Sequence, residues 1–310
     1  MTHQPAAAAR TLRLVALTAA ALVGFAANSI LCRLALGTHQ IDAASFTTVR
    51  VVAGALALFA LVRLAARRGA VRPARSGTWR GAAALFAYAI AFSLAYLRIG
   101  AGVGSLVAFG AVQLTMIGWG IWRGERPRAV EWLGIAVAFA GMVALATRGA
   151  TAVDPLGGAL MLCAGIAWGI YSLLGRGSAN PLVETAGNFL RAVPMALVVS
   201  VVAAMVAGPQ ATREGLLLAV VSGALTSGVG YSLWYAALPH LPATRAAALQ
   251  LVTPVLTAFA AVWFLGESLT PRLLGSAAAV LGGLALALVG RQAQAVAPAR
   301  NPKGGAAYSK

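Results

Sequence analysis

Val49-Arg50-Val51-Val52-Ala53-Gly54-Ala55-Leu56 lies within a stretch, Ala43 to Val62, that is uncharged except for its one arginine. About 20 predominantly apolar residues are what a helix needs to cross a hydrocarbon core of roughly 30 Å. The pattern returns 141 positions later as Leu190-Arg191-Ala192-Val193-Pro194-Met195-Ala196-Leu197. A charge that recurs at the same depth of two apolar stretches marks an internal repeat, and a repeat decides the architecture before any single element does.

The same shift carries Gly24 to Gly165, Ala95 to Ala236, Leu133 and Gly134 to Leu274 and Gly275, and Gly141 to Gly282. A shift of 142 carries Gly124 and Glu125 to Gly266 and Glu267. Ten long apolar stretches fall into this frame: Leu14 to Cys32, Ala43 to Val62, Gly81 to Leu97, Ile99 to Trp122, Trp132 to Thr147, Pro155 to Gly175, Thr185 to Val206, Gly215 to Leu238, Ala246 to Gly266 and Leu273 to Gly290. Five spans per half is an odd number, so the second half must enter the bilayer from the side opposite to the first. The expected fold is an all-α membrane protein, ten transmembrane helices forming two inverted five-helix repeats around a central cavity, as in many transporters. The repeats divide as residues 1–147 and 148–291, followed by a basic, disordered cytoplasmic tail over 292–310.

Composition agrees. The chain is 60% hydrophobic and 10% charged, with a mean hydropathy of +0.83, whereas soluble domains run about 45 to 50% apolar and about 25% charged. A water-soluble fold would leave this apolar surface uncovered. A signal peptide is the competing reading of the N-terminus, because Arg10 and Arg13 precede an apolar run, but no cleavage site follows and the run reads as a retained first helix. Cys32 and Cys163 both fall within helices and imply packing rather than a disulfide framework.

The net charge of +17 does not point to nucleic acid, because the basic residues are not interleaved with aromatics on one face. They sit in the connections between spans, where they set orientation. With the N-terminus inside, 17 of the 24 basic residues fall on the cytoplasmic side and five, Arg33, Arg98, Arg148, Arg213 and Arg272, on the other. The remaining two are Arg50 and Arg191. The expected location is a bacterial-type inner membrane, with multiple passes and both termini cytoplasmic.

The chain resembles the EamA-type branch of the drug/metabolite transporter superfamily over residues of about 14 to 290. The resemblance rests on Arg50 and Arg191, on Trp168-Gly169-Ile170-Tyr171-Ser172, and on Gly124-Glu125-Arg126 with Gly266-Glu267-Ser268. It is most similar to the aromatic amino acid exporters of that branch. There are departures. The fourth span reads Ala111-Val112-Gln113-Leu114 where the family commonly has a proline, as Pro254 stands in the ninth, and the first has Ala27-Asn28 where Trp-Gly is common. The resemblance implies a central cavity and export of small metabolites, with no cofactor.

No catalytic constellation and no metal-ligand spacing is present in the sequence. All seven acidic residues fall at helix ends or in loops. An embedded carboxylate is the usual proton relay or cation anchor, so movement of substrate down its gradient is favoured over cation antiport. Candidate substrate contacts are the polar and aromatic residues in mid-span: Asn28, Tyr88, Gln113, Trp168, Tyr171, Asn188, Tyr231, Trp234 and Gln250. The amides among them need partners in lipid and should face the bundle interior, where helix-to-helix adhesion is their competing role. Trp79, Trp119, Trp122 and Trp132 read instead as an interfacial belt.

Arg50 and Arg191 lie roughly 10 to 12 Å into their helices at 1.5 Å per residue. Each is expected to be structural or gating, by snorkelling or by satisfying helix-end carbonyls, with substrate contact the alternative. Glu125 and Glu267 precede proline-led helices, where Pro127 and Pro271 suit the first helical position and Thr270 a cap, so the carboxylates read as partners of a helix N-terminus. Pro239, Pro242 and Pro254 are expected to break or kink the eighth and ninth helices. The function expected is alternating-access export of amino acids or similar small metabolites across a lipid bilayer, by a chain for which a monomer is compatible. A membrane-embedded enzyme acting on lipid and a non-transporting sensor are the alternatives.

Overall fold

Most helices in the chain begin where a short polar side chain can accept from a free amide of the first turn. Asp42, Thr78, Asp154, Asn180 and Thr212 accept from the amides of Ser45, Gly81, Gly157, Val183 and Gly215 at 2.6 to 3.3 Å. Thr270 accepts from Leu273 at 3.2 Å. Pro155, Pro181 and Pro271 take the first helical position, where the missing N–H would be unpaired anyway. Glu131 instead reaches back to the amide of Arg128 at 3.2 Å, as the acidic member of a capping box does.

These starts define ten helices in a computed structural model that describes residues 4–71, 76–124, 126–146, 153–176, 178–237, 240–241 and 249–296. They are α1 (Gln4–Gly37), α2 (Ala43–Arg67), α3 (Trp79–Tyr96), α4 (Ala101–Trp122), α5 (Ala129–Ala146), α6 (Pro155–Leu174), α7 (Pro181–Ala207), α8 (Arg213–Ala237), α9 (Val252–Leu265) and α10 (Pro271–Val296). Seven of them, α1, α2, α4, α6, α7, α8 and α10, are long and apolar enough to cross a membrane, while α5 and α9 are apolar but shorter. Their outer faces carry large apolar side chains, among them Met205 at 81% and Trp263 at 85% exposure, which only lipid can cover. The chain is a multi-pass membrane protein.

Several helices run a few residues beyond the expected spans, among them α2 to Arg67, α7 from Pro181 and α10 to Val296. α1 extends beyond Cys32 to Gly37 because Arg33 donates to the carbonyl of Tyr96 at 2.7 Å instead of ending the span. In the ninth span, where Pro254 was expected to break or kink the helix, the helical backbone at 249–250 is interrupted at Leu251 before α9 opens at Val252. Pro254 accounts for this, since its ring crowds the carbonyl four residues earlier. Residues 242–248, with Pro242, and also Pro239, lie outside the described residues.

Packing follows the small residues. α2 lies against α7 and α8, α3 against α6 and α7, α4 against α6 and α9, α1 against α8 and α9, and α5 against α10. At the α2–α8 crossing a Cβ on Gly223 would collide with the backbone carbonyl of Arg50, and one on Gly54 would lie 2.6 Å from the Phe189 ring. Only glycine permits that approach. Within α8 the segment Ser222–Val229 is π-helical, a wider turn that occurs most often at functional sites.

At one end of the bundle the α1–α2 and α7–α8 connections are joined. Ile41 and Ala211 form an antiparallel bridge, Asp42 donates its amide to the Gln210 carbonyl at 2.8 Å, and Thr212 donates to the Gln40 carbonyl at 2.7 Å. The Asp42 carboxylate accepts from Ser45 and Gln210 amides. Burial pushes this carboxyl up, but those hydrogen bonds outweigh it and hold it below its ordinary value of 3.8.

Candidate functional site

α1, α3, α4, α6 and α8 border a cavity near the middle of the bundle, lined by Phe25, Asn28 and Ser29, Tyr88 and Phe92, Ala108 to Val112 in part, Gly165 and Trp168, and Tyr231. Its wall is an aromatic cluster. Trp168 packs on Tyr88 and on Tyr231 with ring centroids 4.9 Å apart in each case, Tyr88 on Phe92 at 5.1 Å, and Phe25 on Tyr231 at 5.8 Å. Offset and edge-on contacts of this kind hold the rings in defined orientations.

The polar part of the wall is organised by Asn28. Its Oδ1 accepts from Ser222 at 2.8 Å and Thr226 at 3.1 Å, both on the π-helical segment, and its Nδ2 donates to the Tyr88 hydroxyl at 3.5 Å. The wide turn of that segment brings Ser222, Thr226 and Ser227, all buried, to the face that meets α1 and α2. Arg50 stands behind this wall. It is 2% exposed, donates from Nη2 to the Tyr88 hydroxyl at 3.1 Å and from Nε to Ser227 at 3.3 Å, and places its guanidinium 5.3 Å from the Tyr88 ring and 5.5 Å from that of Phe92. Its Nη1 has no hydrogen-bond partner. The titratable groups around it are Tyr88, Cys32 and Tyr231, with no carboxylate among them. A buried cation without a carboxylate costs several kcal/mol in desolvation, and the described acids are elsewhere: Asp42, Glu131, Asp154, Glu184, Glu214 and Glu267 all serve helix N-termini.

Of the residues singled out from sequence, the fold therefore brings Asn28, Tyr88, Trp168 and Tyr231 into one wall with Arg50 behind it. Trp234 is one ring further out, 5.9 Å from Phe25, and Tyr171 stacks on Trp168 at 5.4 Å with its hydroxyl among Thr185, Asn188 and Tyr235. Gln113 is buried on α4 next to Val112 of the wall.

Others lie apart. Asn188 accepts from the Thr78 amide at 2.8 Å, and Arg191 donates to the carbonyls of Ser76 at 2.7 Å and Gly187 at 3.0 Å, so both hold the entry to α3. Arg50 and Arg191, matched in sequence, have neutral side chains in one case and backbone carbonyls in the other. Gln250 is half-buried just before α9, and Pro254 borders an apolar groove between α4, α9 and α10. Glu125 lies outside the described residues. Glu267 serves the N-terminus of α4, where its carboxylate accepts from the Ala101 and Gly102 amides, rather than that of α10 which follows it and is capped by Thr270.

Sequence reasoning passed over Phe25, Ser29, Phe92, Ser222, Thr226 and Ser227. The signal available for the last three was Ser222-Gly223-Ala224-Leu225-Thr226-Ser227-Gly228, a run of small polar residues and glycine in mid-span that neither lipid nor helix propensity favours.

Comparison with known proteins gives matches of several kinds. The profile of the EamA-like transporter family matches residues 155–289. An uncharacterized protein of Pseudomonas aeruginosa is 50% identical over 284 residues, covering 91% of this chain and 97% of its own. A probable terminal-alkyne amino-acid exporter of Streptantibioticus cattleyicolor is 28% identical over 285 residues, 86% of this chain and 92% of its own. The threonine/homoserine exporter RhtA of Escherichia coli is 31% identical over 150 residues, 46% of this chain and 50% of its own. A solved crystal structure shares the fold with a TM-score of 0.60 at 21% identity, over 88% of this chain and 99% of that one.

Proposed function

The chain belongs to the EamA-like transporter family, a transporter rather than an enzyme, and from that premise we propose that it exports amino acids, aromatic or otherwise apolar ones first, by alternating access. The observation that carries this reading is the aromatic cavity near the middle of five helices, with a few hydrogen-bonding groups at one end. Such a surface takes up an apolar side chain and orients it by a small number of polar contacts. The exporters similar to this chain carry amino acids by name, which supports the same substrate class.

The inverted-repeat mechanism is supported by how the helices pair. α2 packs on α7 and α5 on α10, each on its counterpart five helices later. The contacts of α6 with α3 and α4 are mirrored by those of α1 with α8 and α9. A two-fold axis in the membrane plane produces this pattern, and two halves so related interconvert a cavity open to one side with one open to the other. In this reading all ten helices span the inner membrane and both termini are cytoplasmic.

Proteoliposomes containing the purified protein, loaded with a panel of amino acids, test the proposal. Flux of phenylalanine or leucine above empty vesicles is expected, and Trp168→Ala should raise the half-saturating concentration for an aromatic substrate about tenfold by removing a ring worth roughly 1.4 kcal/mol of contact. No flux for any amino acid on the panel would refute it.

A further inference from the structure

We propose that this cavity recognises a carboxylate through the Tyr88 hydroxyl that Arg50 polarises, so that the compounds carried are organic anions and zwitterions, not amines or neutral amides. The inference rests on the transporter reading above and names the chemical class that the same cavity takes.

Three observations converge. First, Arg50 is 2% exposed, is fixed by Tyr88 and Ser227, and keeps Nη1 without a partner. No described acid neutralises it, so its charge acts on the cavity at low dielectric, where it is screened least. Second, the Tyr88 oxygen accepts from both Arg50 and Asn28. A hydroxyl that already accepts twice keeps its own proton as a donor, shared with the Tyr231 hydroxyl that also lines the cavity, and a carboxylate competes for that proton because a hydrogen bond from a donor held by a cation to an anion is of the stronger, charge-assisted kind. Third, Asn28 has its carbonyl oxygen occupied by Ser222 and Thr226, which leaves the amide nitrogen as the group it offers toward Tyr88. The polar end of the wall is thus made of donors with a positive charge behind them.

An ammonium group finds the opposite. The rest of the wall is rings, Phe25, Phe92, Trp168 and Tyr231, with no carboxylate among the lining residues. Ring faces attract a desolvated cation, but the Arg50 charge behind the wall repels it, so the ammonium of an amino acid is tolerated beside its carboxylate but is not what the site requires. Tyr88 is the direct contact, and Arg50, which does not line the cavity, is a positioning residue acting through it.

The test uses the purified full-length protein and four probes that share one ring: phenylalanine, 3-phenylpropionate, phenylalaninamide and phenethylamine. Binding is read from the fluorescence of the protein's tryptophans, Trp168 being in the wall, and transport from proteoliposome flux. Phenylalanine and 3-phenylpropionate are expected to bind at least about tenfold tighter than phenylalaninamide and phenethylamine, the scale of a single charged contact. Arg50→Gln should remove most of that preference and Arg50→Lys should restore part of it, whereas a merely structural arginine would weaken all four probes alike. Tyr88→Phe should act in the same direction as Arg50→Gln, and decides the matter together with the wild-type series if Arg50→Gln fails to fold. Phenethylamine bound as tightly as phenylalanine, an equal loss for all four probes in Arg50→Gln, or binding of none by the wild type would each overturn the proposal. Selective binding of the two carboxylates with no flux of any amino acid on the panel would uphold the recognition of a carboxylate in this cavity while refuting the transporter reading.

Discussion

The Glu267 carboxylate accepts a hydrogen bond from the backbone amide of Ala101 at 2.6 Å, across 166 positions of sequence, and its second oxygen accepts from Gly102 at 3.1 Å. α4 has Gly100 at its N-cap and no side chain of its own to cap it, so a residue from the α9–α10 connection fills that role. The anion also meets the positive end of the helix dipole.

Removing that cap exposes two amides at the start of α4. Glu267→Ala is expected to destabilise the protein by about 1 kcal/mol, the usual worth of an N-cap side chain, and Glu267→Gln to recover part of the loss because one acceptor oxygen remains. Thermal melting of the purified variants in detergent reads this. Identical midpoints for Glu267→Ala and the wild type would mean that water replaces the carboxylate at no cost.

The α2–α8 crossing tolerates no Cβ at Gly223, which would run into the Arg50 carbonyl and come within 2.9 Å of the Ala53 Cβ. Gly223→Ala should therefore cost about 1 to 3 kcal/mol, the range for overpacking. Gly275, on α10, has nothing within 4 Å of an added Cβ, and Gly275→Ala should be neutral or stabilising by up to about 1 kcal/mol through helix propensity. Melting midpoints and the yield of monodisperse protein compare the two. A Gly223→Ala variant as stable as Gly275→Ala would contradict the close crossing.

Asp42 links stability to acid pH. Its carboxyl titrates lower in the folded protein than in the unfolded chain, so the ionised form stabilises the fold above the ordinary value of 3.8 and that contribution is lost as pH falls through the lower native value. Asp42→Asn should lower the melting midpoint at neutral pH and narrow its gap to the wild type as pH drops through that window. A gap that stays constant down to the acid end would show that the joined connections do not depend on this charge.

The helices themselves were readable from the chain, because the bilayer leaves few choices. A run such as Pro155 to Gly175 has to satisfy its backbone internally and be about 20 residues long, and Asp154 before Pro155 marks its start with no reference to any other part of the molecule. Where the expectation slipped, a side chain had found a partner far off. Arg33 did not end α1 because the Tyr96 carbonyl, 63 positions away, receives it.

The site was half legible. Asn28, Tyr88, Trp168 and Tyr231 stood out as polar or aromatic groups in mid-span, since hydrocarbon gives such groups no partner and they must turn inward. Asn188 met the same criterion and serves the entry to α3, because turning inward does not say toward which neighbour. The matched pair Arg50 and Arg191 carries this furthest. Sequence alone determined that an arginine recurs 141 positions apart within two apolar stretches, a matter of spacing along one chain. Only the tertiary structure decided that Arg191 reaches the carbonyls of Ser76 and of Gly187 on its own helix while Arg50 is enclosed by Tyr88, Phe92 and Ser227. What surrounds a buried charge depends on the helices packed around it, and those lie far apart in the chain.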